Sequence, residues 1–253
     1  MTTNFIEMLS KARIKYIKSL QLKKYRLEEQ RFTVEGEKSV LELLQSDFST
    51  ESLIGSPDFF DRQSDRLKGF TGERLQVSEK VLAELGFYQS NKAVLAIALM
   101  KPNVEFGVSK GEFVLMLDDI RDPGNLGTII RIADWYGIYK IIASRETADF
   151  YNPKVLQASM GSFTRISIYY ADLELYLKNI GIPVLGTFLD GEDVHKMSWG
   201  KEGIILIGNE AHGISPLLES MVTRKITIPR FGQAESLNAA VATAIICDNL
   251  RRA

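Results

Sequence analysis

From Glu112 to Thr227 the chain repeats one pattern: an apolar run with hardly a polar residue, a loop rich in glycine or polar groups, then a segment with helical spacing. The apolar runs are "EFVLMLDDI", "YKIIAS", "TRISIYY", "IPVLGTFL", "GIILIGNE" and "KITIP". A strand with one face in water alternates apolar and polar residues, whereas a strand covered on both faces reads as continuous. Such strands interleaved with helices predict an α/β fold, a parallel sheet with helices on both faces. The helices are "NLGTIIRIADWYG" closed by Gly137, "NPKVLQASMGS", "DLELYLKNIG", "SPLLESMV" with Ser215 as cap and Pro216 at its first position, and an Ala-rich helix from Ser236.

Upstream, "KPNVEFGVSKG" interrupts with proline and glycines, and the boundary falls there, dividing the chain into residues 1–106 and 107–253. The first part reads as a smaller α/β domain. It opens with a helical stripe of Phe5, Met8, Leu9, Ala12, Tyr16, Ile17 and Leu20, continues through the strand "RFTVEG" and the helix "EKSVLELLQ", and ends on the apolar strand "NKAVLAIALM". A fragment starting near Lys110 is expected to fold alone, because the regular strands lie beyond that point.

With 253 residues, 45% of them hydrophobic, the chain can bury a sizeable core. No apolar run reaches the roughly 18 residues of a membrane span, and the first residues lack a secretory apolar core, so a cytoplasmic protein is expected. The single cysteine, Cys247, cannot form an internal disulfide and reads as a buried thiol. One Cys and two His at no recognisable spacing exclude a structural metal. A net charge of −1 does not advertise a nucleic-acid partner, but residues 1–31 carry eight basic against three acidic side chains. Lys11, Lys15, Lys18, Lys23 and Arg26 are the candidate nucleic-acid phosphate contacts there; a merely solvated helix face is the other reading.

In an open parallel sheet, ligands lie where loops leave the carboxyl ends of strands. Four such loops are rich in glycine and polar residues: "DDIRDPGNLG", "TFLDGED", "GNEAHGIS" and "PRFGQAESLN". Neither G-x-G-x-x-G nor G-x-x-x-x-G-K-[ST] occurs, which counts against dinucleotide and ATP chemistry, and no G-x-S-x-G elbow is present. His195 and His212 sit in polar loops without a nucleophile partner. Gly208 and Gly213 either bring backbone close to a ligand or simply turn the chain; Ser236 and Asn238 either cap a helix or touch a ligand. Arg131, flanked by Ile129, Ile130, Ile132 and Ala133, must reach water or meet an anion.

"NLGTIIR" (125–131), "ILIGNEAHGIS" (205–215) and "ITIPRFGQAESLNAAVATAI" (226–245) resemble, in order and spacing, the three motifs of the SpoU-type branch of the SPOUT RNA methyltransferases. "SLQLKKYRLEEQRFTVEGEKSVLELL" is similar to the L30e-like substrate-binding domain often fused to them. The resemblance implies a C-terminal trefoil knot, a homodimer, and S-adenosyl-L-methionine held by Thr187, Gly208, Glu210, Ile228, Leu237 and Asn238. It implies a catalytic centre of Arg131, Asn125, Glu210 and Ser236 acting on a ribose 2'-hydroxyl. Because a guanidinium practically never loses its proton, Arg131 is better suited to bind a neighbouring phosphate and stabilise a developing alkoxide than to act as base. The third motif departs from the common pattern at Ala239 and Ala240, where a small hydroxyl is lost. The fused front domain favours ribosomal RNA; transfer RNA, or an RNA-binding assembly protein without methyl transfer, are the alternatives. A small-molecule substrate conflicts with the basic N-terminal stretch.

Overall fold

The computed structural model describes residues 9–178 and 180–253, so Phe5 and Met8 of the expected stripe lie outside it. The chain forms two compact units, Met1–Pro102 with Tyr151–Thr164, and Asn103–Phe150 with Arg165–Ala253. It therefore passes from one unit to the other three times.

The first unit contains α1 (Lys11–Ser19), α2 (Lys23–Glu29), β1 (Arg31–Glu35), α3 (Glu37–Leu44), β2 (Thr50–Gly55), α4 (Pro57–Arg62), β3 (Glu73–Gln76), α5 (Glu79–Leu85) and β4 (Val94–Leu99). The sheet order is β1-β4-β2-β3. β4 runs antiparallel to β1 and β2, and β3 parallel to β2, so β1, β2 and β3 all end at one edge of the sheet. There they pass into α3, α4 and α5. Ser56 and Ser78 start two of these helices, each hydroxyl accepting from the amide three residues on, Phe59 at 3.2 Å and Val81 at 3.4 Å.

Ile17 and Leu20 of the N-terminal stripe are fully buried with Ile54, Leu82, Leu85, Leu95 and Ile97. A second focus is aromatic. Phe32 meets Phe48 at 5.6 Å, Tyr151 at 4.6 Å and Phe163 at 6.3 Å, the last two from the returning segment. That segment carries the helix α7 (Pro153–Ser159), which packs on β1.

Among the candidate RNA contacts, Arg26 requires correction. It is 1% exposed, and its Nη1 donates to the carbonyls of Leu20 at 3.0 Å and Gln21 at 2.8 Å. A guanidinium spent on the carbonyls at the end of α1 is not available to a phosphate. Lys11, Lys15 and Lys23 are exposed, and Lys18 pairs with Glu84 at 3.1 Å.

The second unit contains β5 (Phe113–Leu117), α6 (Pro123–Trp135), β6 (Lys140–Ser144), β7 (Ser167–Ala171), α8 (Leu173–Leu177), β8 (Val184–Asp193), β9 (Gly203–Ile207), α9 (Pro216–Glu219), β10 (Arg224–Thr227) and α10 (Ala239–Arg252). The sheet order is β10-β8-β9-β5-β6-β7, and every ladder is parallel. The continuous apolar runs are fully interior: Val114, Leu115, Met116, Leu117, Ile204, Ile205 and Leu206 have no exposed surface. α6 packs against α10. α8 and α9 are shorter than the sequence pattern suggests, Ser215 makes no side-chain cap hydrogen bond, and α10 begins at Ala239 instead of Ser236. No helix among the described residues is long and apolar enough to cross a membrane.

Candidate active site

Three loops at the carboxyl edge of the parallel sheet are tied together by side chains. The loop after β5 delivers α6, whose start is set by Asp122: its Oδ1 accepts from the Asn125 amide at 2.8 Å, with Pro123 next to it in the first turn. This fixes Asn125 in the first turn, facing the other loops. Its Nδ2 donates to Oε1 of Glu210, from the loop after β9. Its Oδ1 accepts from Nδ2 of Asn238 at 2.9 Å, from the loop after β10. Asn238 in turn caps α10, Oδ1 accepting from the amides of Ala240 at 3.0 Å and Val241 at 3.2 Å. Capping and membership of the site are thus combined in one residue.

The loop after β9 folds back on itself. A Cβ on Gly208 would lie 2.3 Å from the Gly213 carbonyl carbon and the Ile214 nitrogen, and Gly213 adopts φ +69°, where glycine alone is comfortable. Both glycines are needed by the backbone. Gly208→Ala is therefore expected to force this loop apart at a cost of about 1–3 kcal/mol. Urea unfolding should show a transition that stays cooperative with its midpoint lowered.

Sequence reasoning missed the residues that clamp this loop to its neighbour. Asn209 Nδ2 donates to the carbonyl of Asp119 at 2.7 Å, and its Oδ1 accepts from the amides of Ala211 at 2.8 Å and His212 at 3.3 Å. Buried Asp118 accepts from the Ser215 amide at 2.8 Å, and Asp119 takes φ +59°, the left-handed region. An asparagine opening a loop at the end of a strand, free to accept from the amide two residues on, is an Asx-turn signal that could have marked Asn209.

The remaining expected residues are not joined to this network by any described hydrogen bond. Arg131 is exposed on α6 and has no hydrogen bond or ion pair among the described residues. It lies about 9 Å further along the helix axis than Asn125, at 1.5 Å per residue. Ser236 and Leu237 belong to the stretch 230–238, exposed throughout. Ile228 is half-buried just past β10. Thr187 stands where the register of β8 shifts: Gly186 pairs with Lys225 and Glu192 with Ile226, so residues 187–191 form a bulge without ladder partners in β10. His195 Nδ1 contacts Asn249 Oδ1 at 3.0 Å and takes no part in the network. Cys247 is buried, and burial pushes its thiol up to about 12, so it is chemically inert. No group of residues that could hold a metal ion occurs among the described residues.

Residues 112–248 match the SpoU rRNA Methylase family, and residues 11–96 match the MRM3-like substrate binding domain. The chain belongs to the SpoU rRNA methylase family. It is 32% identical to the 23S rRNA (guanosine(2553)-2'-O)-methyltransferase RlmP of Bacillus subtilis, over 97% of this chain and 98% of that protein. An AdoMet-bound rRNA methyltransferase from Sinorhizobium meliloti has the same fold with a TM-score of 0.87 and 32% identity, covering 98% of this chain and 97% of that one. A putative TrmH-family RNA methyltransferase from Porphyromonas gingivalis superposes with a TM-score of 0.85 and 35% identity, over 98% and 100% of the two chains. The SpoU match covers all three tied loops, and the substrate-binding match begins at α1 and ends within β4.

Proposed function

We propose that this protein transfers the methyl group of S-adenosylmethionine to a ribose 2'-oxygen of 23S ribosomal RNA, as a cytoplasmic homodimer whose C-terminal section forms a trefoil knot. The observation that carries the reading is the hydrogen-bonded chain Glu210–Asn125–Asn238, which ties the three motif loops of a SpoU methylase into one site. The likeness to RlmP runs through both halves of the chain, which favours a ribosomal over a transfer RNA substrate.

The residues fit such a cofactor. Gly208 keeps its loop tight enough that a methyl group would strike backbone, leaving amides close to any ligand, and Leu237 at 46% exposure offers apolar surface for an adenine. Thr187, Gly208, Glu210, Ile228, Leu237 and Asn238 would hold it. When bound, it supplies an electrophilic methyl on a sulfonium. Arg131 would bind the phosphate beside the target ribose and stabilise the 2'-oxygen as negative charge develops there, the hydroxyl proton passing to water. Asn125 and Ser236 orient the ribose, and Glu210 fixes Asn125. The exposed face of α6 carries Thr128, Arg131 and Trp135, the last 82% exposed, and Val241 of α10 is 48% exposed. The exposed apolar side chains of Trp135 and Val241, on the mutually packed helices α6 and α10, support a second copy seated against these helices.

The decisive experiment replaces the target nucleotide by its 2'-deoxy form. RNA binding is expected to persist and methyl transfer to vanish, because only ribose methylation needs the 2'-hydroxyl. Continued incorporation of labelled methyl into the deoxy nucleotide would overturn the ribose assignment. A monomer in sedimentation equilibrium at micromolar concentration would overturn the homodimer.

A further inference from the structure

A cavity of about 400 Å³ in the first unit lies at the edge of the mixed sheet where β1, β2 and β3 all end. Such edges are where α/β sheets bind ligands, and the volume falls in the range of small-ligand sites. Its floor is Glu35, the last residue of β1, which is 9% exposed. Both carboxylate oxygens are oriented by backbone: Oε1 accepts from the Phe87 amide at 2.6 Å and Oε2 from the Tyr88 amide at 3.2 Å. Gly86 permits this approach, since a Cβ there would lie 2.7 Å from Glu35 Oε2. Each oxygen retains acceptor capacity for one more donor.

The cavity's charges argue against a phosphate. Glu35, Asp58 and Glu79 line it against Arg62 and Lys92. Arg62 is already held by Asp58 at 2.8 Å and by Glu37 at 2.9 Å, and Lys92 lies 3.8 Å from Glu79. Around the fixed Glu35 carboxylate the other lining charges balance, two carboxylates against two cations, beside the half-buried ring of Tyr88, whose hydroxyl has no hydrogen bond among the described residues. The complementary ligand is flat, uncharged and equipped with paired N–H donors. In RNA, sequence is read mostly from unstacked bases placed against aromatic rings and hydrogen-bonded along their edges.

Resting on the reading that the substrate is RNA, we propose that this cleft receives one unstacked base of that RNA and reads it through Glu35. Guanine matches best, because its ring N1–H and amino group form a donor fork for a carboxylate. Tyr88 provides the stacking wall and Ser90 sits at the rim.

Two measurements on the full-length protein test this. In the first, guanosine and inosine are titrated separately and followed by amide resonances; inosine lacks the amino group. Guanosine should shift the Phe87 and Tyr88 amides, inosine should bind several-fold more weakly, and Ser90→Arg, which fills the cleft from an exposed position, should abolish both. No shift at these amides, or equal binding of the two nucleosides, overturns the proposal. In the second, Tyr88→Ala and Ser90→Arg should raise the KM for ribosomal RNA about tenfold, the loss of one stacked base, with kcat and S-adenosylmethionine affinity retained. If guanosine binds but the KM is unchanged, the cleft serves free nucleosides and the proposed RNA contact is wrong. Should the wild-type protein methylate no RNA at all, the reading of the reaction fails while the titration still decides the cleft.

Discussion

Arg131→Ala is expected to lower methyl transfer by about 10²-fold or more while S-adenosylmethionine affinity stays within a few fold. The separation follows from where the residue stands. It is joined to none of the side chains that link the three loops, so its removal leaves the Glu210–Asn125–Asn238 network intact. It is exposed and bonded to nothing among the described residues, so fold stability should move by no more than about 0.5 kcal/mol. Its charge is therefore not spent within the described fold, as the proposed role on an RNA phosphate and a developing alkoxide requires. Arg131→Lys should also fail, since an ammonium cannot reproduce the planar fork. Single-turnover rates with calorimetric cofactor binding check this; a parallel fall in both quantities would place Arg131 on the cofactor side.

A fragment starting at Lys110 is expected to lose solubility and cooperative unfolding, contrary to the simple expectation that the regular strands fold alone. Tyr151–Thr164 would be present in that fragment, but Phe32 and Phe48, against which its aromatic residues pack, would be missing. Val155 and Phe163, both with no exposed surface, and Leu156 at 3% would then face water. Burying one such side chain is worth about 1.5–3 kcal/mol, so several together rival the whole stability of a domain. Size-exclusion chromatography and urea unfolding of the fragment beside the full chain measure the effect; a monodisperse, cooperatively folding fragment would show that the segment finds other cover.

The contrast shows what a sequence can disclose. The parallel sheet was legible because continuous apolar runs such as "FVLML" and "GIILI" have one physical explanation, burial on both faces. Asn125, Glu210 and Asn238 were legible as a group only through motif resemblance; their mutual hydrogen bonds join residues 85 and 113 positions apart, which no local pattern encodes. Arg26 was misread because a cation among cations looks solvated, whereas its partners are backbone carbonyls, invisible to side-chain patterns. The packing of the segment around α7 was not legible for a similar reason: its helix reads correctly, but nothing in "NPKVLQASMGS" states which sheet it will cover.

That segment also constrains how the protein is made. Synthesis releases Met1–Pro102 first, yet the unit they belong to is complete only when Thr164 has emerged. At about 5–20 residues per second, the interval is roughly 3–12 s. Throughout it the growing chain carries Phe32 and Phe48 without Tyr151 and Phe163, so the N-terminal unit waits on the ribosome with an aromatic face uncovered.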